Sequence, residues 1–221
     1  MKVLNKSEDI RIKEKINKLK QIYIENRRWL ILIVFLVIFL FIFEDVMDKE
    51  IHIFDNSIYK LLSVLIDERI TIFTKFITTL GSAYAIIPIC AISIIYFRKK
   101  KQALYIPINL ITIFIINQVL KRIIQRPRPE GFRIVEEGGY SFPSGHSMVS
   151  MAFYGLFIYL IYKNVKNKYI KWISITLLSI LIILIGISRI YLGVHYASDV
   201  VAGFCLSICY LTIYTKIMYY I

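Results

Sequence analysis

A chain of 221 residues that is 57% hydrophobic is too apolar for an ordinary soluble domain of its size, and its mean hydropathy of +0.63 agrees. The net charge of +13 would suit nucleic acid, but it falls in clusters at 1–28, 98–101 and 163–171, between apolar stretches where membrane orientation signals lie. Composition therefore excludes a soluble nucleic-acid-binding domain and predicts an all-α fold, a polytopic membrane helix bundle.

Residues 1–28 carry nine Lys/Arg against four Asp/Glu, with Ile12, Ile16, Leu19 and Tyr23 recurring at helical spacing. They read as a cytoplasmic basic amphipathic segment, either resting on an anionic inner leaflet or serving as a solvated tail that fixes orientation. Residues 29–221 form the transmembrane domain. Trp29–Phe43 is a first span of about 15 residues, short enough that it continues through Val46 and Met47 or sits in thin bilayer. No small-residue cleavage site follows it, so it is a retained anchor rather than a signal peptide.

Residues 44–69 hold seven acidic and three basic side chains, the composition of an external loop. Ile70–Leu80 reads as an interfacial helix leading to Gly81 and the second span. Five further spans are predicted at 82–97, 102–120, 147–162, 170–188 and 197–215, making six transmembrane helices in all. With the basic clusters inside, both termini are cytoplasmic. Cys90, Cys205 and Cys209 lie in apolar stretches; two thiols at i,i+4 make a poor metal site, so all three read as small buried residues. His52, in the acidic loop, reads as a surface residue.

Asp199 is the single acidic residue among the last 84, and it lies four positions after His195, one of three histidines. An ionisable group in a bilayer is costly and is usually kept for function. At this spacing both side chains face one way, as a catalytic pair or as a buried pair holding helices together. Ser188-Arg189 lies just upstream. Pro143-Ser144-Gly145-His146 precedes an apolar helix, whose N-terminus offers free N–H groups to an anion; alone it would be a loop with a helix cap. Further back, Lys121 is followed after six residues by Arg128-Pro129; either cation alone would be ordinary interfacial charge. The run Arg126-Pro127-Arg128-Pro129 leaves open which arginine reaches inward. Two histidines, a carboxylate and three fixed cations suit the handling of a phosphate.

In this order the three stretches resemble the signature motifs of the type-2 phosphatidic acid phosphatase superfamily, over residues 121–199. The six spans point to its integral-membrane lipid phosphatase branch, and the motif spacing selects Arg128. The resemblance implies phosphate binding by Lys121, Arg128, Ser144, Gly145 and Arg189. It makes His195 the nucleophile, Asp199 its orienting partner and His146 the general acid. It implies metal-independent chemistry through a phosphohistidine, with no metal and no cofactor. The scattered acids of 44–69 lack the spacing of a two-metal site.

The expected activity is hydrolysis of a lipid phosphate or pyrophosphate at the outer face of the cell membrane, the tail entering sideways between helices. Undecaprenyl pyrophosphate, phosphatidylglycerol phosphate and phosphatidic acid are the leading substrates. A lipid phosphotransferase would use the same residues. A catalytically silent lipid-binding or transport protein would not need both histidines. No nucleic-acid partner is expected, and the oligomeric state is left open.

Overall fold

The structure, a computed structural model, describes residues 26–48 and 50–220. The described chain forms eight helices: α1 Asn26–Met47, then α2 His52–Ser63, α3 Glu68–Leu80, α4 Ala83–Tyr96, α5 Gln102–Ile124, α6 Gly145–Asn164, α7 Lys168–Tyr191 and α8 Ala197–Tyr220. The amphipathic segment expected over 1–28 lies outside the described residues but for its last three positions, which open α1.

Helix α1 is 22 residues long, about 33 Å at the helical rise, enough to cross a bilayer core. It runs past Phe43 because Val46 is buried with Phe39 and Phe142 on the flank of α8. The acidic stretch after it contains α2, which the charge density of 44–69 concealed. Ile58, Tyr59 and Leu62 pack against Ile190, Ala197 and Val200, and the one buried residue of α2 is Asp55. Asp67 caps α3, its carboxylate accepting from Arg69 N–H at 2.8 Å.

The second crossing is not one straight helix. Helix α4 has 14 residues, about 21 Å, short of the roughly 30 Å hydrocarbon core. Helices α3 and α4 pass as one span only together, bent by 42° at Gly81-Ser82. Gly81 is required by a close approach, since a Cβ there would lie 2.5 Å from Ile185 Cγ2. With α1, α5, α6, α7 and α8, this bent pair makes six candidate spans.

Helix α6 sits at the centre, packed against α5, α7 and α8. Phe153 and Leu156 of α6, with Ile106, Ile182 and Ile185, are fully or almost fully buried in its core. Large apolar side chains on α1, α4 and α7 stay exposed, as a lipid-facing surface requires. The three cysteines are buried and free. The helix ends then gather the motifs. Lys121 is in the last turn of α5 and Arg189 in the last turn of α7. His146 is in the first turn of α6 and Asp199 in the first turn of α8.

Candidate active site

A tight turn over Leu192–Tyr196 delivers His195. Gly193 takes φ +70°, and a Cβ there would meet the Phe132 carbonyl at 2.6 Å, so this turn needs glycine. The backbone N–H groups of Val194 and His195 both donate to Arg189 O at 3.2 Å, tying the turn to the end of α7. Asp199 occupies the third helical position of α8, and Oδ2 accepts from Tyr196 N–H at 2.9 Å, the reciprocal half of a capping box. The sequence therefore folds a helix cap and a His–Asp pair from the same carboxylate.

His195 Nδ1 lies 3.3 Å from Asp199 Oδ2. Ser141 Oγ lies 3.3 Å from the same Nδ1 and donates a hydrogen bond to the same Oδ2. A carboxylate acceptor fixes the proton on Nδ1 and leaves the lone pair on Nε2. Arg128 Nη1 donates to that Nε2 at 3.1 Å and to Val194 O at 2.8 Å. His195 is fully enclosed. Burial pushes its pKa down to about 3, with Arg189 and Arg128 adding to the depression and Asp199 opposing it. This depression favours the neutral imidazole, whose Nε2 lone pair is occupied here by the Arg128 hydrogen bond.

Arg128 is itself held by the loop over 125–144. Nε donates to Gly138 O and Gly139 O at 3.2 and 3.0 Å, and Nη2 donates to Gly138 O at 3.0 Å. Burial lowers its pKa from the usual guanidinium value, with Asp199 opposing. Arg189 Nη1 donates to Thr78 Oγ1 of α3 at 2.7 Å. Its Nη2 touches the Glu137 carboxylate, whose other oxygen is 3.6 Å from Arg128 Nη2. Arg189 Nε is buried without a hydrogen-bond partner among the described residues. Buried donors of this kind cost stability and call for an explanation such as a ligand.

Asn117 fixes the Pro143–His146 stretch from α5, donating to Pro143 O at 3.1 Å, while its Oδ1 would lie 3.1 Å from a Cβ on Gly145. Ser144 is fully buried and caps α6, its Oγ accepting from Ser147 Oγ at 3.0 Å. Its backbone N–H is committed to Asp199 O at 3.1 Å. Among the described residues, the unpaired amides at this helix N-terminus are accordingly those of Gly145 and His146, not Ser144. Lys121 Nζ donates to Tyr140 O at 2.7 Å.

A cavity of about 550 Å³ begins here and runs between α4 and α5. Its polar end is formed by Lys121, Glu137, Gly145 and His146, and its walls by Ile86, Ile87, Leu110, Ile111 and Phe114. Glu137 both lines the cavity and touches the two arginines, so the cavity and the arginine pair share a boundary.

All eight site residues expected from the sequence thus lie at one end of the bundle, in two sets. His195, Asp199, Arg128 and Arg189 form one, with Ser144 joined to it through Asp199 O; Lys121, Gly145 and His146 line the cavity. Glu137, Ser141, Asn117 and Arg126 were missed. The sequence carried one partial signal for them, the doubled arginine in 126–129.

The PAP2 superfamily model matches residues 102–221, more than half of the chain. The chain belongs to the PAP2 superfamily. Among PAP2 relatives, phosphatidylglycerophosphatase B of Bacillus subtilis is 36% identical over 137 residues, 60% of this chain and 67% of that protein. Undecaprenyl-diphosphatase of Sulfolobus acidocaldarius is 28% identical over 185 residues, 80% and 84% of the two chains. A crystal structure of a transmembrane PAP2-type phosphatidylglycerolphosphate phosphatase from Bacillus subtilis superposes with a TM-score of 0.79 at 27% identity, covering 86% of this chain and 96% of that one. A polytopic membrane helix bundle of the PAP2 superfamily, the chain is a phosphate-ester hydrolase.

Proposed function

We propose that the protein hydrolyses a lipid phosphate or diphosphate through a phosphohistidine on His195, at the outer face of the cell membrane. The observation that carries this reading is the placement of His195, with Asp199 on one ring nitrogen and Arg128 on the other, in a site that Glu137 joins to an apolar cavity. The lipid tail lies between α4 and α5, and the headgroup reaches Lys121, His146 and the arginines. The phosphate displaces Glu137 from Arg128 and Arg189 and takes up the idle Arg189 Nε donor. Arg128 turns from His195 to a phosphate oxygen, which uncovers the Nε2 lone pair.

Nε2 then attacks phosphorus as the bond to the leaving oxygen breaks, and His146, which takes up a proton when the anionic headgroup binds beside it, passes that proton to the leaving oxygen. The guanidinium groups, Lys121, the Ser144 hydroxyl and the Gly145 and His146 amides offset charge on the equatorial oxygens. Asp199 holds the Nδ1 proton and balances the positive ring. In the second step neutral His146 takes a proton from water, the oxygen attacks phosphorus, and the N–P bond breaks to release phosphate.

Undecaprenyl pyrophosphate fits this reading best among lipids with such headgroups, since recycling that carrier requires dephosphorylation outside. Phosphate release should be measured in detergent from undecaprenyl pyrophosphate, phosphatidylglycerol phosphate and phosphatidic acid. Release from at least one is expected; folded protein inactive on all three would refute the reading.

Orientation has its own support. The basic turns at 98–101 and 163–168 lie at the far ends of α5 and α6 from Lys121 and His146, so positive-inside bias turns the site outward. In a background lacking the native cysteines, cysteine at exposed Asn56 or Glu130 should react with an impermeant thiol reagent in intact cells. Cysteine at Lys166 should react only after lysis. The opposite pattern would put the chemistry in the cytoplasm.

A further inference from the structure

One buried ion pair, Asp55 with Arg126, has no part in the chemistry above, yet it is joined to Asp199, which does. Asp55 of α2 is 2% exposed and Asp199 is 0% exposed. Arg126 bridges them, with Nη2 at 2.8 Å from Asp55 Oδ2 and Nη1 at 2.6 Å from Asp199 Oδ1. The Arg126 guanidinium lies over the Tyr196 ring at 4.1 Å, which fixes its plane. Asp55 also accepts from Ser198 N–H and Ser198 Oγ, both at 2.8 Å, so it seats directly on the N-terminus of α8. Three elements of separate origin thus meet behind the His195–Asp199 pair.

We propose that Asp55 and Arg126 are positioning residues for the nucleophile, holding Asp199 in place while keeping its negative charge available to His195. The proposal rests on His195 being the nucleophile. When Nε2 bonds phosphorus the ring becomes cationic, and Asp199 must balance it. An arginine on Asp199 alone would spend that charge; the second carboxylate restores it, leaving the trio Asp55–Arg126–Asp199 at one net negative charge. The planar fork of arginine suits this task because it presents separate N–H groups to two carboxylates at once. A mere clamp of α2 on α8 would need no such balance.

Asp55→Asn keeps the shape and the acceptor for Ser198 N–H but removes the charge. Arg126→Lys keeps the charge but not the fork. On the full-length protein in detergent, the readouts are the single-turnover rate of phosphohistidine formation from an aryl phosphate, KM, and the thermal midpoint. Each variant should phosphorylate roughly tenfold more slowly or worse, the scale of coupling within one charge network, with KM within about twofold. Should either single variant fail to fold, the charge-balanced pair Asp55→Asn with Arg126→Gln decides: it keeps the one net negative charge but loses the hold on Asp199, so a smaller slowing, of roughly threefold or more, is expected of it. Wild-type phosphorylation rates in the folded variants, or a defect confined to KM, would overturn the positioning role while leaving His195 as nucleophile. Absence of phosphohistidine in the wild-type protein would instead remove the reading on which the proposal stands.

Discussion

His195→Ala should abolish turnover, by more than about 10⁴-fold, while binding of the lipid survives. The apolar cavity walls, Lys121 and the arginines all remain, so affinity is retained, but no lone pair faces phosphorus. Wild-type activity should persist in a strong chelator and should be inhibited by vanadate, which can adopt the trigonal-bipyramidal shape of the transition state. The acid side gives a further check. Because burial holds the His195 pKa well below the usual 6.5, the ring stays neutral as pH falls. Phosphoenzyme formation from an activated aryl phosphate should therefore hold its rate from about pH 7 to about pH 5, whereas an unshifted histidine would lose it. Residual turnover in His195→Ala, or chelator inactivation reversed by a divalent ion, would end the metal-free phosphohistidine mechanism.

How much of this was legible in the sequence depends on whether the signal was local. Asp199 stood out because it is the lone acid of a long apolar stretch, and its capping geometry follows from its place three residues into α8. The same logic placed His146 at a helix start and Lys121 at a helix end. Asp55 was illegible for the opposite reason: it is one of seven acids in 44–69, and nothing local separates it from its neighbours. Only packing of α2 on α8, 143 residues away, buries it against Ser198. Glu137 was hidden in the same manner, its pairing with Arg189 being set by the fold of the 125–144 loop.

The doubled arginine was a question the sequence posed and could not close. Residues before proline favour extended backbone, and extended residues two apart project to the same side. Arg126 and Arg128 accordingly both reach the His–Asp pair, one at Asp199 Oδ1 and the other at His195 Nε2. The motif spacing selected Arg128, and the structure gives Arg126 a separate post. The bent α3–α4 crossing escaped because Gly81 reads locally as a loop. Its reason lies in the approach of Ile185 and of His146, whose Cδ2 would be 3.4 Å from a Cβ there.

The two histidines should separate by leaving group. His146 lines the cavity beside Lys121 and Gly145 and makes no hydrogen bond among the described residues, so it is free to move protons in either direction. In the first step it donates to the leaving oxygen; a lipid alkoxide needs that proton, while a weakly basic phenolate does not. His146→Ala should thus lose about 10²–10⁴-fold on a lipid monophosphate. On an activated aryl phosphate the same variant should still release about one equivalent of phenolate per enzyme in a burst. The second step then stalls, because no base remains to activate water, and phosphohistidine should accumulate on His195. His195→Ala should give neither burst nor trapped phosphate on either substrate. The burst experiment therefore reads nucleophile and acid separately. Equal losses on both substrates, with no trapped intermediate in His146→Ala, would show that His146 does not carry the proton and that another group, Lys121 or a water held by it, must.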